Sequence, residues 1–258
     1  MTAVLSAREA REARDLEDPR GPREVVEPPV ARLAALPGVS TASRVAVQAE
    51  QAGATGRVLP VAPALAGLLP AAGLRRGSTV AVHGASSLLL ALLAEATAAG
   101  SWAAVVGVPS LGLAAAAELG VDVGRVALVP RPGVEFPAVV AALLDGVDLV
   151  VARATSLPAA VARRLSARAR HRGAVLLALG PWPGADVELS CRREAWEGLE
   201  GGYGQLRARP MLVRARGRGA AARPVSARLW LPGPAGGVAR AEPERLGRGE
   251  AGREEAAG

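Results

Sequence analysis

Residues 79–93 read TVAVHGASSLLLALL, and the architecture of the chain turns on how they are read. Thr79 to Val82 is a short, largely β-branched apolar run, the pattern of a strand buried on both faces. Gly84-Ala85-Ser86-Ser87 follows, with the composition of a turn. Leu88 to Ala98 is then built from strong helix formers and is apolar on most sides. A strand that passes through a Gly-Ser loop into a helix points backbone N–H groups at whatever lies above the helix start, and such a place attracts phosphate oxygens.

The same rhythm continues downstream. Trp102 to Val108, Arg125 to Val129, Val147 to Ala152 and Ala174 to Leu179 read as further apolar strands. Between them, Leu113 to Leu119, Pro137 to Leu144 and Pro158 to His171 read as helices, with Gly120 and Gly173 placed to end two of them. Alternation of this kind predicts a parallel sheet covered on both faces. Beyond Gly184 the spacing changes. Asp186 to Cys191, Met211 to Arg216 and Ser226 to Leu231 alternate in polarity and are joined by Gly-rich turns, which predicts an antiparallel extension at one edge of the sheet. The expected organisation is a charged, partly helical extension over 1–56, a core over 57–232 and a flexible tail over 233–258.

The loop at 84–87 falls short of a working phosphate site. The full motif, GxxxxGK[ST], needs a lysine for the outer phosphates and a hydroxyl for magnesium. Here Leu88, Leu89, Leu90 and Ala91 stand where the second glycine, the lysine and the hydroxyl would follow. The 258 residues contain no lysine at all, and all 31 cations are arginine. Arginine is planar and forked and does not reproduce a P-loop lysine; none lies at the helix start in sequence. A magnesium-binding carboxylate should end a later strand, but the strand over 147–152 ends in Ala152-Arg153. Asp148 sits at its beginning, where a local cap or ion pair is expected. The chain is therefore read as a non-enzyme with no cofactor.

Composition narrows the partners. One cysteine, Cys191, allows no internal disulfide and fits a reducing cytoplasm. With only His83 and His171 beside it, no metal site is expected. No apolar run is long enough for a membrane span, and the charged first residues argue against export. The net charge of +7 is uneven: residues 1–27 and 234–258 are slightly acidic, and the middle carries 22 Arg against 12 acids. The richest stretch holds Arg207, Arg209, Arg214, Arg216, Arg218, Arg223 and Arg228, with no acid from Gln205 to Leu231. On a strand, Arg214 and Arg216 share one face while Val213 and Ala215 take the other. Such a row suits phosphates, an acidic protein face, or a solvated strand edge protected by charge. The Arg-studded helix over 159–171 reads as a solvated face, with Val161 and Leu165 turned to the sheet. Trp102 is expected in the core. Trp182, between two prolines, is expected either to pack in its loop or to project and stack on a base or a partner.

In this order, the residues over about 58–180 resemble RecA-family proteins. GLRRGSTVAVHG resembles the approach to the family's P-loop, AAELGVDVGRVALV the helix, turn and strand after the second core strand, and VDLVVARATSLP the Walker B strand and its exit. The resemblance implies a RecA-like three-layer α/β fold with a mainly parallel sheet, an antiparallel C-terminal edge and flexible termini. Carried over by position, the P-loop lysine falls among Leu88 to Leu90, the Walker B acid on Ala152, and the catalytic glutamate near Pro109-Ser110; all three are absent. SSLLLALLAEA, Trp182-Pro183-Gly184-Ala185-Asp186 and RARPMLVRARGRGAAARP are similar to the degenerate ImuA-type accessory proteins of the actinobacterial mutasome. That similarity implies an adaptor in damage-induced mutagenesis, with an error-prone DNA polymerase and a polymerase-like adaptor as partners. Two alternatives stand beside it: a DNA-binding module acting through the Arg-rich C-terminal strands, and a divergent ATPase with a substitute cation.

Overall fold

The apolar runs assemble into one sheet. The structure, a computed structural model, describes residues 56–153, 156–193, 196–200 and 203–241. The expected N-terminal extension, save Gly56, and the tail beyond Ala241 lie outside the described residues.

The first elements are short. β1 (Val58–Leu59) pairs antiparallel with β2 (Leu74–Arg75), with helix α1 (Pro63–Ala66) between them in sequence. The alternating unit then follows: β3 (Thr79–His83), α2 (Ser86–Ala98), β4 (Ala103–Val106), α3 (Leu113–Glu118), β5 (Val126–Val129), α4 (Phe136–Leu144), β6 (Leu149–Ala152), α5 (Ala159–Arg172) and β7 (Val175–Leu179). The C-terminal part adds β8 (Val187–Arg193), β9 (Glu197–Glu200), β10 (Tyr203–Ala208), β11 (Pro210–Gly217), β12 (Val225–Trp230) and β13 (Ala239–Arg240). Nine strands form the main sheet in the order β13-β12-β11-β8-β3-β7-β6-β4-β5, and β9 with β10 makes a separate ribbon.

Side-chain alternation builds two cores from these strands. Val80 and Val82 join Val105, Val151 and Leu177 on one face, beneath α2. Leu88, Leu89, Leu92 and Leu93 of α2 are all buried in that cluster, together with Leu65, Leu68, Leu69 and Leu74. A helix apolar all round needs such cover on every side, and the segment over 58–77 supplies it. Ala81, Val150 and Leu176 face the other way, against Phe136, Val140 and Leu144 of α4 and Ala162, Leu165 and Ala169 of α5. The sheet is thus α/β, with helices on both faces.

Three expectations need correcting. The strand at 187–193 is not part of the antiparallel edge: β8 runs parallel to β3, pairing Val80 with Val187 and Val82 with Leu189. Antiparallel pairing starts one strand later, with β11 on β8, β12 on β11 and β13 on β12. Alternating polarity had pointed to a half-exposed strand, and β8 is one, but exposure on one face does not set direction. Nor does the chain leave the fold at Pro232: β13 extends the sheet, and Ala241 is buried. Trp102 is 49% exposed rather than in the core. β4 begins one residue after it, so the indole lies at the amino end of the sheet with the Arg125 guanidinium 5.6 Å from its ring centre.

Candidate functional site

The loop after β3 lies at the carboxyl end of the central parallel strands, where open α/β sheets bind their ligands. α2 starts at Ser86, so Ser86 and Ser87 form its first turn, and Ala85 is an extended N-cap without a side-chain hydrogen bond. Gly84 has a φ of +98°, a conformation that favours glycine. A Cβ there would sit 2.4 Å from the Cys191 carbonyl oxygen and 3.0 Å from its Sγ. β8 therefore lies against the loop, and the Cys191 thiol donates to the His83 carbonyl at 3.2 Å. The close backbone approach at Gly84 is made to this neighbouring strand.

The structure does bring a cation to this place. Arg209, at the junction of β10 and β11, donates through Nη2 to the Ser87 Oγ at 3.3 Å. Its guanidinium also stacks over the Trp196 ring at 4.7 Å. The expectation that no arginine could reach the helix start holds in sequence and fails in space, because the chain returns through β9 and β10 before entering β11. Behind Ser87, the α2 leucines present only carbon.

The strand expected to carry a magnesium acid, β6, ends at the buried Ala152 and the exposed Arg153. Asp148 precedes the strand and is committed elsewhere. It accepts from Arg76 Nη2 at 2.7 Å and from the Trp102 N–H at 2.9 Å. Burial pushes its carboxyl up, but these two donors outweigh that and hold it below the usual carboxylate range. Asp145, at the end of α4, is likewise lowered, first by its hydrogen bonds to Arg168 and then by the charges of Arg168 and Arg172 on α5. Both acids tie elements of the fold together. Among the described residues, no three His, Cys, Asp or Glu side chains gather as a metal site would require.

The other expected site residues separate into distinct groups. Gly84, Ala85, Ser86 and Ser87 stay together at the loop. Trp182 does not project: it is 5% exposed, packs in the cluster under α4 and α5, and its Nε1–H donates to Ser166 Oγ at 2.9 Å. Of the two expectations for Trp182, packing within the fold holds and stacking on a base or partner does not, because the indole is buried. Arg207 is exposed on β10. Arg209 turns inward, as described. Arg214 and Arg216 are exposed on β11, while Val213 and Ala215 are buried, as the alternation required. Arg218 and Arg223 are exposed in the turn that joins β11 to β12.

One arginine that sequence reasoning missed belongs with Arg214. Arg192 of β8 pairs with Leu212, and Ser190 with Arg214, so Arg192 shares the outward face of β11. Its signal was present in the alternation of Glu188, Ser190 and Arg192, but only the pairing of strands 20 residues apart joins it to the basic stretch.

Two comparisons with known proteins bear on the family. Residues 67–184 match the MT3502 N-terminal domain. That match begins at Gly67, just after α1, runs to the loop after β7 and stops short of the arginine strands. The chain is also similar to the uncharacterized protein Rv3395c of Mycobacterium tuberculosis (strain ATCC 25618 / H37Rv), with 40% identity over 152 residues, covering 55% of this chain and 74% of that protein.

Proposed function

On the premise that this chain belongs to the family of Rv3395c, with residues 67–184 as its MT3502 N-terminal domain, we propose that it is a RecA-like adaptor in DNA damage tolerance that hydrolyses no nucleotide. Its partners on this reading are an error-prone polymerase and a polymerase-like adaptor, whose joint work is translesion synthesis and induced mutagenesis in the cytoplasm. The RecA-like assignment is supported by the central position of β3, between β8 and β7, and by helices on both faces. The loss of hydrolysis rests on one observation above the rest: β8 fills the space beside Gly84, with the Cys191 carbonyl 2.4 Å from where a Cβ would stand. A loop closed by its own fold keeps the architecture and gives up the ligand. What such a chain retains is surface, and surface binds partners.

Arg209 favours a second reading. A guanidinium 3.3 Å from Ser87, at the positive end of α2, is the substitute cation that a divergent nucleotide-responsive protein would need. Two measurements separate the readings. Calorimetric titration with ATP and magnesium tests the loop: on the adaptor reading it gives no heat of binding up to millimolar nucleotide, and micromolar affinity abolished by Arg209→Ala would establish the second reading. Size-exclusion chromatography with purified error-prone polymerase and polymerase-like adaptor tests the partners: co-elution supports the adaptor, and separate elution at micromolar concentrations of all three refutes it.

A further inference from the structure

The two faces of the sheet are treated unequally beyond β3. On the α2 side, Leu189 of β8, Met211, Val213 and Ala215 of β11 and Leu229 of β12 are all buried in the main core. On the opposite side, the cluster beneath α4 and α5 takes in side chains of β3, β4, β6 and β7 and none of β8, β11 or β12. Among the described residues no buried apolar cluster covers that half of the face, and in that sense it is bare.

Register defines what the bare face presents. Directly paired residues share a face. Ala81 pairs with Glu188, and Glu188 with Arg216, which places Arg216 on the side of α4 and α5. Two residues along, Arg214 lies between Ser190 of β8 and Ser226 of β12. Two further along, Leu212 lies between Arg192 and Arg228. Beyond them Trp230 stands opposite Pro210 and is half-buried on the same side. Ser190, Arg192, Arg214 and Ser226 are exposed. At the other end, Arg218 continues the row: its Nη2 lies 3.4 Å from where a Cβ of Gly184 would stand, beside the helix α5 side chain of Arg163. Among the described residues, the one acid of the row is Glu188, which accepts from Arg216 Nε at 3.0 Å and Nη2 at 2.8 Å. Arg192, Arg214 and Arg218 have no carboxylate within ion-pair distance among the described residues.

We propose that this bare face of β8, β11 and β12 binds the phosphate backbone of a single-stranded nucleic acid. Successive outward residues of a strand are about 6.6–6.8 Å apart, so Arg214, Arg216 and Arg218 form a linear row; Arg214 and Arg218 offer their forks to phosphate, while Glu188 holds that of Arg216. Serine hydroxyls flank the central arginine on both sides and add hydrogen-bond donors for phosphate oxygens. Trp230, half-buried next along β12, lies at the end of the row, where single-strand platforms carry their aromatic residues. An open sheet three strands wide accommodates splayed bases, whereas duplex DNA is read by elements that enter a groove. The proposal is independent of the adaptor reading, since it uses no residue of the loop at 84–87.

Fluorescence anisotropy of a labelled 20-nucleotide single strand with the full chain is the test. With Arg192, Arg214 and Arg218 each neutralising one phosphate, log K should fall with log salt at a slope of roughly −2, which weakens binding about 20-fold between 50 and 200 mM. Glu188→Gln releases Arg216 and should steepen the slope by about 0.7 and tighten binding at low salt. Glu95→Gln, the same change of net charge on exposed α2 surface remote from the face, should leave the slope unchanged. Arg192→Glu, Arg214→Glu and Arg218→Glu together should reduce affinity at least about tenfold at 50 mM salt with an unchanged melting temperature. The proposal is overturned by any of four results: no binding of the wild-type chain at 50 mM salt, tighter binding of a duplex of equal length, undiminished affinity in a folded triple variant, or equal effects of Glu188→Gln and Glu95→Gln. The gain expected from Glu188→Gln keeps the test decisive if the triple variant fails to fold.

Discussion

Replacing Trp182 by alanine separates a structural role from a recognition role at one residue. The indole is 5% exposed, among side chains of α4, α5 and the underside of the sheet. Burying a tryptophan removes about 200 Å² from water, worth about 5 kcal/mol at 25 cal/mol per Å². Large-to-small changes at such sites cost about 3–5 kcal/mol, because the surroundings collapse only partly. The change also leaves Ser166 Oγ, buried on α5, without the Nε1–H that it accepts at 2.9 Å. In a domain of this size each kcal/mol lowers the melting temperature by about 2–4 °C, so Trp182→Ala should melt roughly 10 °C below wild type. Trp182→Phe keeps most of the ring and loses only the hydrogen bond, at about 1 kcal/mol. Circular dichroism melts at 222 nm, with urea midpoints as a second probe, measure both. A melting temperature for Trp182→Ala within 2 °C of wild type would refute the packing role and return the indole to the surface.

Three further outcomes follow from the geometry. Gly84→Ala adds a Cβ against the Cys191 backbone at a left-handed φ, and should cost about 3 kcal/mol from strain and overpacking together, read as a lower urea midpoint; an unchanged midpoint would show that β8 does not close the loop. Asp148 has a folded pKa below its unfolded value of about 3.9, so its contribution is present above that pH and disappears as pH falls through the lower folded value. Asp148→Asn should therefore lower stability at pH 7 and flatten the acid limb below about pH 4, seen in urea midpoints between pH 3 and 7. Arg168→Ala removes the main hydrogen bond that lowers Asp145, and the Asp145 carboxyl, followed by NMR titration, should move up toward its ordinary range, with Arg172 holding back part of the shift.

How far the sequence could be read depended on range. β3 to β7 were legible because each is an apolar run bounded by its own turn residues, and a helix of matching length follows each of the first four. Their ends shifted by one or two residues, as at α2, where Ser86 and Ser87 entered the helix once Ala85 took the extended N-cap position. β8 was found but misassigned: strand direction is a tertiary property, fixed by Val187 and Leu189 lying beside Val80 and Val82. The β9–β10 ribbon was not found. Its Gly198 and Gly204 sit at φ values of +102° and +119°, each closely approached by the other strand's backbone, and a Gly-rich segment reads as loop. Trp182 was ambiguous because its Pro-flanked loop suggests exposure, while the partner that buries it, Ser166, is 16 residues away on α5.

The loop at 84–87 and the arginine face share one strand, β8. β8 pairs with β3 through Val80, Ala81, Val82 and His83, and the same pairing carries Cys191 against Gly84. On the adaptor reading, a strand held that close to the loop leaves a triphosphate no room. The pleat then sends Leu189 into the core and Glu188, Ser190 and Arg192 to the opposite side, where Ser190 and Arg192 are exposed. The apolar α2 fits the same arrangement: beyond Ser87 its start is filled by Leu88 to Leu93, all buried in the core. Substituting a lysine at Leu89 would therefore not restore a phosphate site. It would place an ammonium in the core, fully buried beside Val80 and Val82, and the variant should fail to fold rather than bind nucleotide. A folded Leu89→Lys chain with measurable ATP affinity would show that the leucines had replaced a site still open behind them.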